Sequence, residues 1–217
     1  MTVNDGTQTA LVLSHGDESA TTAVVATLRG EGWHVILTGG DAAAAAEALA
    51  EPDLTVNGVV YLPGLLSAVG HQHVDPARSL LELMDALQPR LASGQQNRTR
   101  VVAVGSRDWL GWPSRPLVAA QAAALVATVR SLALAHGQAG VTVNAVIGMP
   151  FDAAARQDTG PAPGTHLHEP VPLTTEPVEA DDIAAAVVFF LDDRSGYITG
   201  QILHCCGGAS LLSSMSV

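Results

Sequence analysis

The sequence contains no lysine. All ten of its basic residues are arginines, so chemistry that needs a lysine amine or ammonium is excluded. Tyrosine is nearly as scarce, with only Tyr61 and Tyr197. The two cysteines, Cys205 and Cys206, are adjacent, and neighbours on a strand point to opposite faces. A disulfide framework is therefore not expected, and a reducing, cytoplasmic setting is. Positive charge is in deficit: the net charge is -11, which argues against nucleic acid and anionic membrane as partners. No apolar run reaches the ~18 residues of a membrane span. The opening MTVNDGTQTALVL has no basic region ahead of its apolar run, so a signal peptide is not expected.

What is present is aliphatic and alanine-rich. The 217 residues are 47% hydrophobic and only 14% charged, which suits one globular domain with a large core. Its centre is the stretch from Arg100 to Gly148. There the apolar run Val101–Val104 predicts a buried strand, followed by a Gly/Ser/Trp/Pro loop. A long helix over Arg115–Ala135 comes next, then a second strand, Val141–Ile147. Strand, helix and strand make one parallel crossover. Upstream, strands are expected at Thr9–Ser14, Trp33–Thr38 and Val56–Leu62, with helices at Ala20–Gly30, Ala42–Glu51 and Asp75–Leu91. A polar turn covers Ser93–Thr99. Downstream, residues 151–178 hold five prolines and little periodicity, and read as a loop or flap. A helix at Glu179–Leu191 and a strand at Ile202–Cys205 follow, then an apolar tail, 209–217, with no obvious core of its own.

The alternation predicts an α/β fold: a Rossmann-like, doubly wound parallel sheet flanked by helices, one domain over residues 1–217. Chemistry in such sheets sits at the carboxyl ends of the strands, here Gly105-Ser106 and Ile147-Gly148-Met149. A dinucleotide would meet the first strand-to-helix turn, where glycines admit a pyrophosphate. That turn is Ser14-His15-Gly16-Asp17-Glu18. It holds one glycine and two acids, and suits a pyrophosphate poorly. Asp17 and Glu18 are expected simply to favour the helix N-terminus.

Several fragments, in order and at matching separations, resemble the short-chain dehydrogenase/reductase family across nearly the whole chain. They are Trp33-His34-Val35-Ile36-Leu37-Thr38-Gly39, Val129-Arg130-Ser131-Leu132-Ala133, Val143-Asn144-Ala145-Val146, Asp182-Ile183-Ala184 with Phe189-Phe190-Leu191, Tyr197-Ile198-Thr199-Gly200-Gln201, and Gly207-Gly208. The resemblance implies a catalytic Tyr-x-x-x-Lys, and those positions fall on Val118 and Ala122; a one-residue slip gives Leu117 and Gln121. The family's serine falls on Ser106. Its asparagine falls near Asp75-Pro76, where there is none. Its glycine-rich turn maps onto Leu13, Ser14, Glu18 and Ala20, and its Asn-Asn-Ala-Gly onto Tyr61-Leu62-Pro63-Gly64. The tyrosine is the family's acid/base, and the lysine lowers its pKa and holds the nicotinamide ribose. Valine and alanine do neither.

By this resemblance the chain is a catalytically degenerate member, with no intact catalytic residue and no cofactor bound by itself. NAD(P) is expected in an active partner subunit, within a heterodimer or heterotetramer. The family's dimers pack the helix beginning near Asp75 and the one beginning near Arg115, and protomers also meet through the last strand and tail. Ala119, Ala120, Ala122, Ala123, Ala124 and Ala127 give the second helix a smooth surface. Heteromeric members with one active and one degenerate subunit include a dehydrogenase acting on 2-[hydroxy(phenyl)methyl]succinyl-CoA, so an acyl-CoA-type hydroxy or keto substrate is implied. A second reading is non-redox chemistry (a lyase, isomerase or cyclase) using Ser106, Arg107, Asp108, His15, His166 or His168. The pairs His71/His73 and His166/His168 are weak as metal ligands, having no third ligand in sequence, and no metal is expected. Ser106 reads first as a serine capping local backbone. Trp109 and Trp112 read equally as core plugs or as interface anchors.

Overall fold

The structure is a computed structural model that describes residues 7–39, 41–49, 54–66, 75–91, 98–149, 160–174 and 176–214. Six strands form one parallel sheet: β1 (Thr9–Ser14), β2 (His34–Gly39), β3 (Gly58–Leu62), β4 (Arg100–Ser106), β5 (Thr142–Gly148) and β6 (Ile202–His204), in the spatial order β2-β1-β3-β4-β5-β6. The order reverses between β1 and β3, which makes the carboxyl ends of those two strands the topological switch point.

β3, β4 and β5 are buried at every position, because helices cover both faces; such strands read as continuous apolar runs. One face carries α2 (Ala42–Ala48), α3 (Pro76–Leu87) and α4 (Pro116–His136) over Leu11, Val59, Tyr61, Val101 and Ala145. The other carries α1 (Glu18–Gly30) and α5 (Ala180–Leu191) over Val12, Val60, Val102, Val104 and Val146. α4 is long and apolar enough to cross a membrane by length and composition, yet its face with Ala122, Leu125, Val129 and Leu132 is buried against the sheet. The helix starts follow local chemistry. Asp75 accepts from the amides of Ala77 and Arg78 ahead of α3, with Pro76 in its first turn. The Glu179 amide donates to Asp182 at the start of α5.

Asn144 and the Tyr197–Gln201 segment have a structural job. Asn144 is buried and donates from Nδ2 to the Ile198 carbonyl (2.8 Å), while its Oδ1 accepts from the Gln201 amide (3.0 Å). Thr199 Oγ1 accepts from the Val143 amide. These bonds fix the turn that delivers β6 beside β5.

Three local expectations need correction. β4 runs on through Ser106, so this serine ends a buried strand instead of starting a loop, and a 3₁₀ turn, Arg107–Leu110, follows it. The tail forms a short helix, α6 (Ala209–Ser214), packed on that turn, with Ala209 fully buried. The third strand starts at Gly58, with Val56 in an isolated bridge to Leu91. The expected end of the second helix at Glu51, most of the turn at 93–99, the flap over 151–159, the end of the tail and the His71/His73 pair lie outside the described residues.

Candidate functional site

At the switch point the protein's own groups occupy the crevice. Asp17, 4% exposed, reaches across to β3's loop and accepts from the amides of Gly64 (3.0 Å) and Leu66 (3.1 Å). Asp17 is the N-cap residue of α1, and its side chain makes no capping hydrogen bond there. Gly64 sits at φ 85°, a left-handed conformation that aims its amide inward. Those two amides are the kind of donors a phosphate would need. Beyond them, Leu66 and Ile183 close over Gly148 so tightly that a Cβ there would lie 2.8 Å from Ile183 and 3.0 Å from Leu66. In the first turn, Ser14 hydrogen-bonds Thr21 (2.6 Å) and Ala20 is fully buried. The residues present do not fit a dinucleotide.

The positions matched to the catalytic pair are also packed away. Ala122 is fully buried in the core layer under α4, and Val118 packs against the same layer. Neither tyrosine stands in. Tyr61 is fully buried, and burial raises its pKa far above the ordinary phenol value, so it stays protonated. Tyr197 is 97% exposed in the turn before β6. Ser106 is fully buried, and its Oγ accepts from the Asp108 amide (3.2 Å), the capping role read from the sequence.

A different constellation stands at the carboxyl end of β4. Arg107 and Asp108, in the 3₁₀ turn, are both fully buried. Arg115, just before α4, forks onto Asp108 through Nε (2.6 Å) and Nη2 (3.1 Å). Glu169 Oε1 accepts from Arg115 Nη2 (2.7 Å) and from Arg107 Nη1 (3.1 Å). The Trp112 ring lies against both guanidiniums, 5.2 Å from Arg107 and 5.9 Å from Arg115. Burial lowers the pKa of Arg107, against the pull of Asp108 and Glu169. Burial also opposes the charge on Arg115, but hydrogen bonds to Asp108 and Glu169 outweigh it and raise its pKa. Beside the turn, Trp109 Nε1 donates to His204 Nε2 (3.0 Å), and burial holds the His204 pKa below the usual imidazole value. A cleft of about 690 Å³ opens over this group, lined by Trp112, His166, His168, Glu169, Val171 and Leu212.

A family model described as enoyl-(acyl carrier protein) reductase matches residues 73–210, which spans the catalytic region, α5 and the turn into β6. The chain belongs to the short-chain dehydrogenase/reductase family. Two subunits of (2S)-[(R)-hydroxy(phenyl)methyl]succinyl-CoA dehydrogenase from Thauera aromatica are similar to it. BbsD is 35% identical over 128 residues, covering 52% of this chain and 46% of BbsD. BbsC is 38% identical over 118 residues, covering 54% of this chain and 46% of BbsC. The chain thus spans about half the length of the curated relatives it matches. The solved enoyl-(acyl carrier protein) reductase of Anaplasma phagocytophilum, in complex with NAD, shares the fold at 15% identity. Its TM-score is 0.73, over 94% of this chain and 92% of that one.

Within this dehydrogenase/reductase scaffold the sequence-matched residues separate into two places. Ser14, Glu18, Ala20 and Gly64 belong to the switch point, where Glu18 opens α1 and Gly64 donates to Asp17. His166 and His168 line the cleft, while Ser106, Arg107 and Asp108 lie fully buried at the end of β4. His15 lies apart from the cleft, edge-on to Tyr61 with ring centroids 6.0 Å apart. Among the described residues no cluster of three metal-ligating side chains forms. Sequence reasoning missed Arg115 and Glu169 in the charged group at the end of β4, His204 as the partner of Trp109, and the bridging role of Asp17. Their partners lie 7 to 95 residues away, and no local spacing signals them.

Proposed function

We propose that this chain is a non-catalytic subunit of a short-chain dehydrogenase/reductase complex. It would support, structurally or allosterically, an active NAD(P)-dependent paralogue that interconverts a hydroxy and a keto group on an acyl-CoA-type substrate. The carrying observation is the Asp17 carboxylate on the Gly64 and Leu66 amides. A fixed negative charge at that crevice opposes a pyrophosphate by both sterics and charge. Val118 and Ala122 leave no group to move the proton or hold the ribose. The subunit standing of BbsD and BbsC supports a heteromeric setting.

The outer face of α4 supports the same reading. Leu117, Ala120, Ala124, Ala127, Ser131 and Leu134 are all exposed and recur at alternating spacings of three and four. That is the seam along which a second helix packs. Leu134 is 87% exposed and Leu117 68%, while Ala and Ser between them permit close approach. The preferred occupant is the corresponding helix of the active subunit. The two adjacent cysteines are both free thiols, with the Cys205 pKa pushed up to about 11 by burial, and suit a reducing cytoplasm.

The test is a titration of the purified chain with NADH and NADPH, followed by nicotinamide fluorescence, alongside turnover with and without the co-expressed partner. The account expects no saturable binding by the chain alone. Saturable binding, or turnover by the chain alone with a nicotinamide cofactor, would contradict it. A second reading, non-redox catalysis, is favoured by one observation: His166, His168 and Glu169 line one cleft, and Glu169 pairs with the buried Arg107 and the half-buried Arg115. Cofactor-free turnover abolished by His168→Ala would support it.

A further inference from the structure

The charged group under the cleft divides into a permanent part and an exchangeable part. Asp108 and Arg115 form a two-point fork within one short segment, and Asp108 is fully buried. Glu169 arrives from a loop 62 residues beyond Arg107 in sequence, and a single oxygen serves both guanidiniums. Its side chain is 25% exposed on the cleft side, whereas that of Arg107 is 0% exposed. The four charges balance two against two. Lifting Glu169, which lines the cleft, out of the group leaves this set one positive charge in excess behind it. The loop has its own second tether, the Leu173 amide to the Gly207 carbonyl (2.7 Å). Glu169 is therefore not the sole anchor of residues 160–174.

We propose that Arg107 and Arg115 form a receptor for the carboxylate of a small acidic ligand, and that Glu169 is an intramolecular stand-in which the ligand displaces. The planar guanidinium fork matches a carboxylate in two-point geometry. An incoming carboxylate replaces one already buried, so the exchange adds no uncompensated charge to the interior. The cleft, about 690 Å³, lies within the ~300–1,000 Å³ common to small-molecule sites. Val171 and Leu212 on its wall suit a short aliphatic chain behind the carboxylate, so the ligand class is a short-chain mono- or dicarboxylic acid. Trp112, stacked against both guanidiniums, reports on occupancy. The proposal does not depend on whether the chain catalyses anything or what it partners.

The test titrates glutarate, and its uncharged counterpart glutaramide, into the full chain and into Glu169→Gln, read by calorimetry and tryptophan fluorescence. Glu169→Gln is expected to bind glutarate at least tenfold more tightly than wild type, and glutaramide not at all. Equal affinities of folded wild type and variant for glutarate, or equal binding of the two probes, would overturn the proposal. Amide hydrogen exchange on wild type keeps it testable if the variant misfolds. Glutarate that displaces Glu169 speeds exchange over residues 165–173, and unchanged exchange there refutes displacement.

Discussion

Asp17 lies between two readings of the same residue. From sequence it is an acid at a helix N-terminus; in the fold it reaches Gly64, 47 residues away, and so bridges the loops after β1 and β3. Its replacement by alanine leaves two inward amides without their acceptor. At about 1.5–3 kcal/mol for each hydrogen bond to a charged group, Asp17→Ala is expected to cost roughly 3 kcal/mol or more, measured by urea unfolding. A loss under about 1 kcal/mol would show the bridge to be incidental. Asp108→Asn leaves the buried end of the arginine group short of a negative charge, at an expected cost of about 3–5 kcal/mol, read the same way. His204 gives a pH signature. Its folded pKa lies below the value near 6.5 of an unfolded imidazole, so the unfolded chain binds the extra proton first. Its contribution to stability is present above about pH 6.5 and is lost as pH falls toward the folded pKa. The neutral ring is also what accepts from Trp109. His204→Phe is expected to flatten part of the decline in melting temperature between about pH 7.5 and 5.5; an unchanged slope would contradict the assignment. At this scale, the identities at Val118 and Ala122 were legible, since valine and alanine side chains carry no titratable proton. Glu169 was not legible, because nothing near it in sequence is an arginine partner.

Among the elements, α4 does two jobs with one alanine-rich sequence. Ala122, Leu125, Val129 and Leu132 fill the sheet face, and the stripe from Leu117 to Leu134 faces out. Ala124→Arg is therefore expected to change the chain's own stability by no more than about 0.5 kcal/mol while abolishing association with the partner, measured by native mass spectrometry. An intact complex carrying this arginine would place the interface elsewhere. Periodicity and apolar runs revealed nearly every strand and long helix, since burial of β3, β4 and β5 on both faces writes itself as unbroken valine-rich runs. The 3₁₀ turn at Arg107–Leu110 and helix α6 were missed for one shared reason. Each is short, and the two pack on each other, so tertiary contact and not local pattern holds them.

Over the whole molecule, the sheet order and the family's C-terminal motifs survive together, and the hydrogen bonds of Asn144 explain why: they build the sheet edge, not the chemistry. At the switch point and at the positions matched to the catalytic pair, Asp17, Leu66, Val118 and Ala122 are engaged in hydrogen bonds and packing. The proposed role is that of a scaffold that acts through what it binds. The measurement that tests this most directly is the native mass, subunit composition and NAD(H) stoichiometry of the complex purified from the chain's own host. The account predicts a second short-chain dehydrogenase/reductase subunit with an intact Tyr-x-x-x-Lys, in fixed ratio, and one dinucleotide for each pair of unlike subunits. A purely homo-oligomeric assembly, or one dinucleotide for every copy of this chain and of its partner alike, would contradict it.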